Sequence, residues 1–167
     1  MDENLKKEFE ELLSKQLSIE YGGFYLWNII AAYCDRPNVA LKGMNRFYTE
    51  MYKEEINHIR GIVDFMNNCG MKIYFKPINS PYDTFTGLVD ILEKTLSYEQ
   101  HVYDHILLIH RRASETDQSA ICNLLDEYVN EKVEGLKKFQ DMVVNAKRCA
   151  TSELGVYLFD SQFKKNK

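Results

Sequence analysis

Four long stretches of this chain carry apolar residues at helical intervals, whereas the alternating pattern of a β-strand is hard to find. Apolar side chains three or four positions apart lie on one face of a helix, so each stretch has a face to bury against its neighbours. The pattern predicts an all-α fold, a four-helix bundle followed by a short fifth helix. The predicted helices run from Leu5 to Cys34, from about Asn38 to Met66, from about Thr86 to Arg112, from beyond Asp117 to about Lys147, and from Thr151 to Phe163.

The segment between Gly70 and Phe85 interrupts this pattern. It has no clear helical period, and it contains Pro77 and Pro81. A connection of this length is uncommon in a compact domain unless it crosses from one end of a bundle to the other. We therefore expect a long crossover between the second and third helices, with a short edge strand as the alternative.

Size and charge limit the classes of protein to which the chain can belong. Its 167 residues predict one domain, residues 1–167, and the net charge of −4 with no basic run beyond residues 164–167 argues against a nucleic-acid partner. We expect no signal peptide and no membrane span, since no apolar run is long enough. The four cysteines are far apart and form no C-x-x-C pair, which predicts reduced thiols in a cytoplasmic protein.

A carboxylate and an imidazole fall on the apolar face of the second predicted helix. Glu55 and His58 are three positions apart, so they lie one above the other on that face. Burial of a charged group without a partner is very costly, and a divalent metal such as iron, manganese or zinc is one suitable partner. The alternative is a hydrogen-bonded core histidine beside a carboxylate at the edge of the helix.

Each of the first three predicted helices has one glutamate near its midpoint on its apolar face, namely Glu20, Glu55 and Glu99. The fourth helix has Glu131 and Glu134 at the matching height. Packed side by side, these helices bring the carboxylates into one layer, where mutual repulsion raises their pKa values and cations relieve it. The alternative is that each glutamate is solvated on an outer face.

Two further histidines, His101 and His105, are one turn apart on the third predicted helix. That spacing can bind a metal, but both positions lie off the apolar face predicted for this helix. We therefore expect both to be surface residues.

Several short blocks of this sequence resemble the ferritin family, and the bacterial non-haem ferritins most closely. The resemblance covers nearly the whole chain, without large gaps between the blocks. It implies a ferritin-like bundle with a short fifth helix, assembled as a homo-oligomer, a hollow cage of 24 subunits. The blocks are Ile19-Glu20-Tyr21, Glu54-Glu55-Ile56-Asn57-His58, Ser80-Pro81, Tyr98-Glu99-Gln100, Tyr128-Val129-Asn130-Glu131 and Gly155-Val156-Tyr157-Leu158-Phe159-Asp160.

The same resemblance implies three iron positions. Glu20, Glu55 and His58 match the ligands of the first iron, and Glu55 would bridge the first and second irons. Glu99 matches a ligand of the second iron. The implied activity is that of a ferroxidase, which oxidises Fe(II) with dioxygen or peroxide and stores it as a ferric mineral. The acidic residues that match a third iron position are Glu54, Glu131 and Glu134.

Three positions, Lys132, Gly135 and Trp27, depart from the family pattern. Lys132 stands where a glutamine is usual, and Gly135 where the bacterial proteins have another carboxylate. Trp27 replaces a tyrosine that is usual beside the site. Ile56 is not the methionine of haem-binding relatives, so we expect no haem.

Two interpretations of Lys132 stay open: its ammonium replaces a cation beside Glu99, or its stem packs in the bundle while its head reaches water. The preferred function is an iron-storage ferritin with ferroxidase activity, weakened at its second iron. The alternative is a non-catalytic or weakly catalytic cage subunit with an impaired second iron site. A peroxide-reducing di-iron protein is disfavoured, because the fourth helix has Glu131-x-x-Glu134 and no second Glu-x-x-His motif.

Overall fold

Four long α-helices and one short one make up the fold in a computed structural model that describes residues 1–78, 82 and 84–164. The prediction of an all-α bundle is confirmed, and the described residues include no β-strand. Ser80-Pro81, which was part of the family resemblance, and residues 165–167 of the basic terminus lie outside the described residues. The helices are α1 (Glu3–Cys34), α2 (Lys42–Asn68), α3 (Leu88–Glu115), α4 (Ser119–Cys149) and α5 (Glu153–Ser161).

The largest shift from a predicted helix boundary is at the start of α2. This helix begins at Lys42, after the predicted Asn38, because a turn occupies the residues between α1 and α2. The N–H of Ala40 donates to the carbonyl oxygen of Arg36 over 2.8 Å, and Ala40 has a φ of +53°. A residue in this left-handed region cannot continue a right-handed helix, so α2 starts only beyond it.

Side-chain caps hold the starts of α1 and α5. The carboxylate of Asp2 accepts a hydrogen bond from the N–H of Leu5 over 2.8 Å. The hydroxyl of Ser152 accepts one from the N–H of Gly155 over 3.0 Å. Each bond satisfies a backbone donor that has no partner within the first turn of its helix.

The described ends of the connection between α2 and α3 contact opposite ends of α1. Near its start, the N–H of Lys72 donates to Oε1 of Glu10 over 2.8 Å. Near its end, the ring of Phe85 packs against that of Tyr33, with centroids 5.3 Å apart. The predicted crossover is therefore confirmed.

This crossover makes α3 antiparallel to α1. The hydroxyl of Tyr98, in the first half of α3, donates to the carbonyl oxygen of Ile19 over 2.7 Å. Further along α3, Arg112 forms two hydrogen bonds with the carboxylate of Glu8, near the start of α1. The midpoints of α1 and α3 consequently lie side by side, and these midpoints carry Glu20 and Glu99.

Two adjacent glycines of α1, Gly22 and Gly23, lie where α3 approaches α1 closely. A Cβ atom at Gly22 would overlap the hydroxyl of Tyr98. A Cβ atom at Gly23 would touch the Tyr98 ring at 3.4 Å. A larger residue at Gly22 would therefore displace the Tyr98 side chain that joins α3 to α1, whereas a Cβ at Gly23 would only come into contact with it.

The short helix α5 packs against the start of α2. Oδ1 of Asp160 accepts a hydrogen bond from the N–H of Met44 over 2.8 Å, and both residues are buried. A Cβ atom at Gly43 would overlap the carbonyl oxygen of Asp160, so the backbones meet directly. Within the described part of the chain, no helix is long and apolar enough to cross a membrane.

Candidate metal centre

Three side chains from α1 and α2 bring potential metal ligands together in the middle of the bundle. One ligand atom from each of Glu20, Glu55 and His58 lies within 4.8 Å of the other two. Nδ1 of His58 is 3.1 Å from Oε2 of Glu55 and 4.0 Å from Oε2 of Glu20. Two carboxylates and one imidazole form a donor set suited to iron, manganese or zinc.

Glu20 is almost fully buried, at 1% exposure, and only one of its two carboxylate oxygens has a hydrogen-bond partner. Oε1 accepts from Nε2 of Gln16 over 2.5 Å, while Oε2 is unpartnered. Burial and the nearby charge of Glu55 raise the pKa of Glu20 to about 8. A buried oxygen without a partner is costly, and a bound cation would supply the missing interaction. The site therefore suits a metal ion on an observation independent of any motif.

Glu55 is held as an anion by its neighbours. Oε1 accepts a hydrogen bond from Nε1 of Trp27 over 3.0 Å, and Oε2 is paired with His58. Burial alone would raise the pKa of Glu55, but the hydrogen bond with His58 and the charge of Lys132 lower it to about 2. Trp27 lies beside the site, as predicted, and its indole orients this carboxylate.

Both ring nitrogens of His58 contact carboxylates. Nδ1 faces Glu55, and Nε2 is 3.1 Å from a carboxylate oxygen of Glu131. Burial opposes the charged imidazole, but the hydrogen bonds with Glu131 and Glu55 raise its pKa to about 10. A metal bound at Nδ1 would displace a proton, and Glu131 would still hold the ring through Nε2.

Glu99 is buried close to this cluster but is paired with Lys132. Nζ of Lys132 is 2.8 Å from Oε2 of Glu99, and the two residues are 5% and 4% exposed. Burial alone would lower the pKa of Lys132, but the carboxylates of Glu99, Glu55 and Glu20 raise it above its usual range. Burial raises the pKa of Glu99, and the Lys132 ammonium opposes that effect. Of the two interpretations of Lys132, the structure has the ammonium at the carboxylate and not in water.

The remaining predicted ligands lie at the edge of this centre. Glu54 and Glu134 are exposed and line a cavity of about 400 Å³ between α2 and α4, together with Gly135. Glu131 lines the same cavity, but its carboxylate contacts His58. Among the described residues, Glu54, Glu131 and Glu134 therefore do not form a metal cluster of their own.

One histidine prediction is wrong. His105 is buried, at 6% exposure, and its Nδ1 is 2.7 Å from Oε1 of Gln16. Packing of α1 on α3 covers this position, so the buried face of α3 is wider than the predicted apolar face. His101 is exposed, as predicted.

Comparison with known proteins decides the family. A family model described as the ferritin-like domain matches residues 10–149. The chain belongs to the ferritin family. Its match to the chloroplastic ferritin-3 of Vigna unguiculata is 28% identical over 166 residues, and covers 96% of this chain and 64% of the relative. The chloroplastic ferritin-1 of Brassica napus is 30% identical over 90% of this chain and 61% of the relative.

The match to an animal ferritin covers a larger share of the relative's length than the matches to the plant proteins do. The ferritin of the crayfish Pacifastacus leniusculus is 29% identical over 156 residues, and covers 92% of this chain and 86% of the relative. The chain spans less than two thirds of the two plant proteins. These plant and crayfish relatives support the family but not the expected likeness to bacterial non-haem ferritins in particular.

Gln16 and His105 contact the candidate centre directly or through one neighbour, and sequence reasoning did not assign them to it. The helical spacing of α1 does pass through Gln16 and Glu20, so a hydrogen bond between them could have been predicted. The contact of His105 depends on the packing of α3 against α1. No local pattern in the sequence signals that contact.

Proposed function

We propose that this chain is an iron-storage ferritin, one domain over residues 1–167, which oxidises Fe(II) at Glu20, Glu55 and His58 and stores it as a ferric mineral. The observation that carries the proposal is the unpartnered, buried Oε2 of Glu20 next to Glu55 and His58. Membership of the ferritin family supports iron as the metal. Iron is here the substrate and the stored cargo.

The donor set supports oxidation as well as binding. Hard carboxylate oxygens stabilise Fe(III) over Fe(II), so they favour loss of an electron from bound iron to dioxygen or peroxide. Binding displaces protons from Glu20 and His58, whose pKa values are raised to about 8 and about 10. Fe(II) must therefore compete with two protons at this position.

The second iron position is weakened in this proposal. Glu99, its expected ligand, is engaged by Lys132, and Gly135 provides no side chain to replace it. This pairing favours the alternative function as well, a weakly catalytic cage subunit with an impaired second iron site. A third iron at Glu54, Glu131 and Glu134 stays a proposal of lower rank, because Glu131 holds His58 instead.

Exposed apolar side chains support assembly of a homo-oligomer. On α5, Leu154, Tyr157 and Leu158 are 66%, 61% and 55% exposed, and on the crossover Phe75 is 67% exposed. Apolar patches of this kind are usually covered by a partner. We propose a closed cage of 24 copies in the cytoplasm, without haem and without a nucleic-acid partner.

Initial rates of Fe(II) oxidation test the proposal. His58→Ala removes the one nitrogen ligand and Glu55→Ala the bridging carboxylate, so both should slow oxidation strongly while the protein stays folded. Glu50→Ala is the matched control, because Glu50 is an exposed carboxylate on α2 that pairs with Lys53 at the surface. Unchanged rates in His58→Ala and Glu55→Ala would refute the assignment.

A further inference from the structure

A series of hydrogen bonds leads from α3 through α1 to the Glu20 carboxylate, at Oε1, whereas Oε2 is the unpartnered oxygen of the metal centre. Nδ1 of His105 is 2.7 Å from Oε1 of Gln16, and Nε2 of Gln16 is 2.5 Å from Oε1 of Glu20. All three side chains are buried, with Gln16 at 0% exposure. Buried polar groups in such a series are rigid, since each has few alternative partners.

The donor and acceptor roles in this series of hydrogen bonds follow from the chemistry of its side chains. A side-chain amide has one end that donates and one that accepts. The amide nitrogen of Gln16 faces Glu20, so the amide oxygen faces His105 and Nδ1 must be the donor. Burial, with the nearby charges of Lys15 and His101, lowers the pKa of His105 to about 4, so its ring is neutral near pH 7. A neutral ring with its proton on Nδ1 completes the series.

We propose that Gln16 and His105 are positioning residues for Glu20, which hold its Oε1 so that Oε2 points at the cation position. The inference rests on the proposed function. Without these two residues, the Glu20 side chain can rotate. Its Oε2 can then accept a hydrogen bond from another donor and no longer faces the cation position. A ligand fixed in advance loses less rotational freedom when the metal binds.

Co(II) binding to the metal-free, full-length protein tests the inference, read out by titration and by the ligand-field absorption of bound Co(II). Gln16→Met and His105→Leu keep the volume but remove the hydrogen bonds. Both should weaken Co(II) binding about 10- to 100-fold, as expected for partners that orient a metal ligand, and change the spectrum. His105→Asn should retain most of the affinity, because its amide N–H can take the place of Nδ1–H.

Ser14→Ala is the matched control. Ser14 is fully buried one half-turn before Gln16, but its hydroxyl accepts from the N–H of Tyr74 in the crossover over 3.0 Å. This variant should lose stability without any change in Co(II) affinity or spectrum. An equal loss of affinity in Ser14→Ala would mean that general loosening of α1 is responsible, and would overturn the inference.

Glu20→Ala separates failure of the inference from failure of the proposed function. If Glu20→Ala loses Co(II) while Gln16→Met and His105→Leu bind it normally, the positioning role is wrong and the metal site stands. Failure of His105→Asn to retain binding would also count against the positioning role. If Glu20→Ala itself binds Co(II) with unchanged affinity, the metal site and the proposed function both fail. Should His105→Leu not fold, Gln16→Met and His105→Asn still decide.

Discussion

Nζ of Lys132 lies 2.8 Å from Oε2 of Glu99 in the interior of the bundle, where both side chains are almost fully buried. The raised pKa of Lys132 keeps its ammonium charged at neutral pH. A positive charge therefore already occupies the place where a second metal would neutralise Glu99. This pairing gives the metal-free bundle a counter-ion of its own.

The first prediction concerns binding of a second metal. Lys132→Gln removes the competing charge, so a second Fe(II) should bind on the order of tenfold more tightly, which corresponds to about 1.4 kcal/mol. Oxidation should become faster, and Lys132→Glu should increase both effects by adding a ligand. Anaerobic Fe(II) titration and initial oxidation rates measure the change.

Lys138→Gln is the control for that experiment. Lys138 lines the same cavity, but its ammonium lies over the ring of Phe47, 4.7 Å from the ring centroid, and is exposed. Its loss should leave the number of bound irons unchanged. If the unmodified protein already binds two irons per subunit, and neither Lys132 variant oxidises iron faster, then Lys132 does not act as a substitute cation.

The second prediction concerns stability. Lys132→Met leaves the buried carboxylate of Glu99 without a partner, which should cost about 3 to 5 kcal/mol of unfolding free energy. Glu99→Leu in the same chain should restore most of that loss, since an apolar pair can replace a buried ion pair. Denaturant unfolding of the metal-free single and double variants measures the coupling. Additive losses would show that the two side chains do not depend on each other.

Helical spacing alone predicted the convergence of Glu20, Glu55 and His58, because α1 and α2 each present one continuous apolar face. The same reasoning could not decide where the amine of Lys132 lies, since its flexible stem reaches either Glu99 or water from one helix position. It misplaced His105, whose burial depends on how closely α3 approaches α1. That approach is set by tertiary packing around the Tyr98 ring, which no periodicity within α3 encodes.

The third prediction concerns the pH dependence of stability without metal. Folding raises the pKa of Glu20 from 4.5 to about 8 and that of His58 from 6.5 to about 10. The folded protein therefore binds more protons than the unfolded chain at these groups between pH 7 and pH 8.5. Their stabilisation is complete below the unfolded pKa of each group and is lost as pH rises through its folded pKa. The unfolding free energy should fall by about 1 to 2 kcal/mol per pH unit in this window.

Glu55 adds nothing to that slope, because its pKa is lowered to about 2 and it is ionised in both states above pH 7. Glu20→Gln and His58→Gln should each flatten the dependence, as measured by denaturant unfolding at several pH values with a chelator present. Zn²⁺ should reverse the trend in the unmodified protein, because binding displaces the same protons and becomes stronger as pH rises. Equal slopes in the two variants and the unmodified chain would contradict the assignment of the extra protons.

The last prediction concerns assembly. Leu154, Tyr157 and Leu158 expose an apolar face on α5, and a closed symmetric oligomer can bury such a face in every copy. Native mass measurement should find a large closed assembly over a range of salt and pH. Leu154→Lys combined with Leu158→Lys should produce smaller species, since a charged face resists burial between copies. Leu108→Lys is the control, because Leu108 is a similarly exposed leucine on α3, 49% exposed, apart from this face. A protein that is only monomeric or dimeric under all these conditions would count heavily against a cage, whatever its activity toward iron.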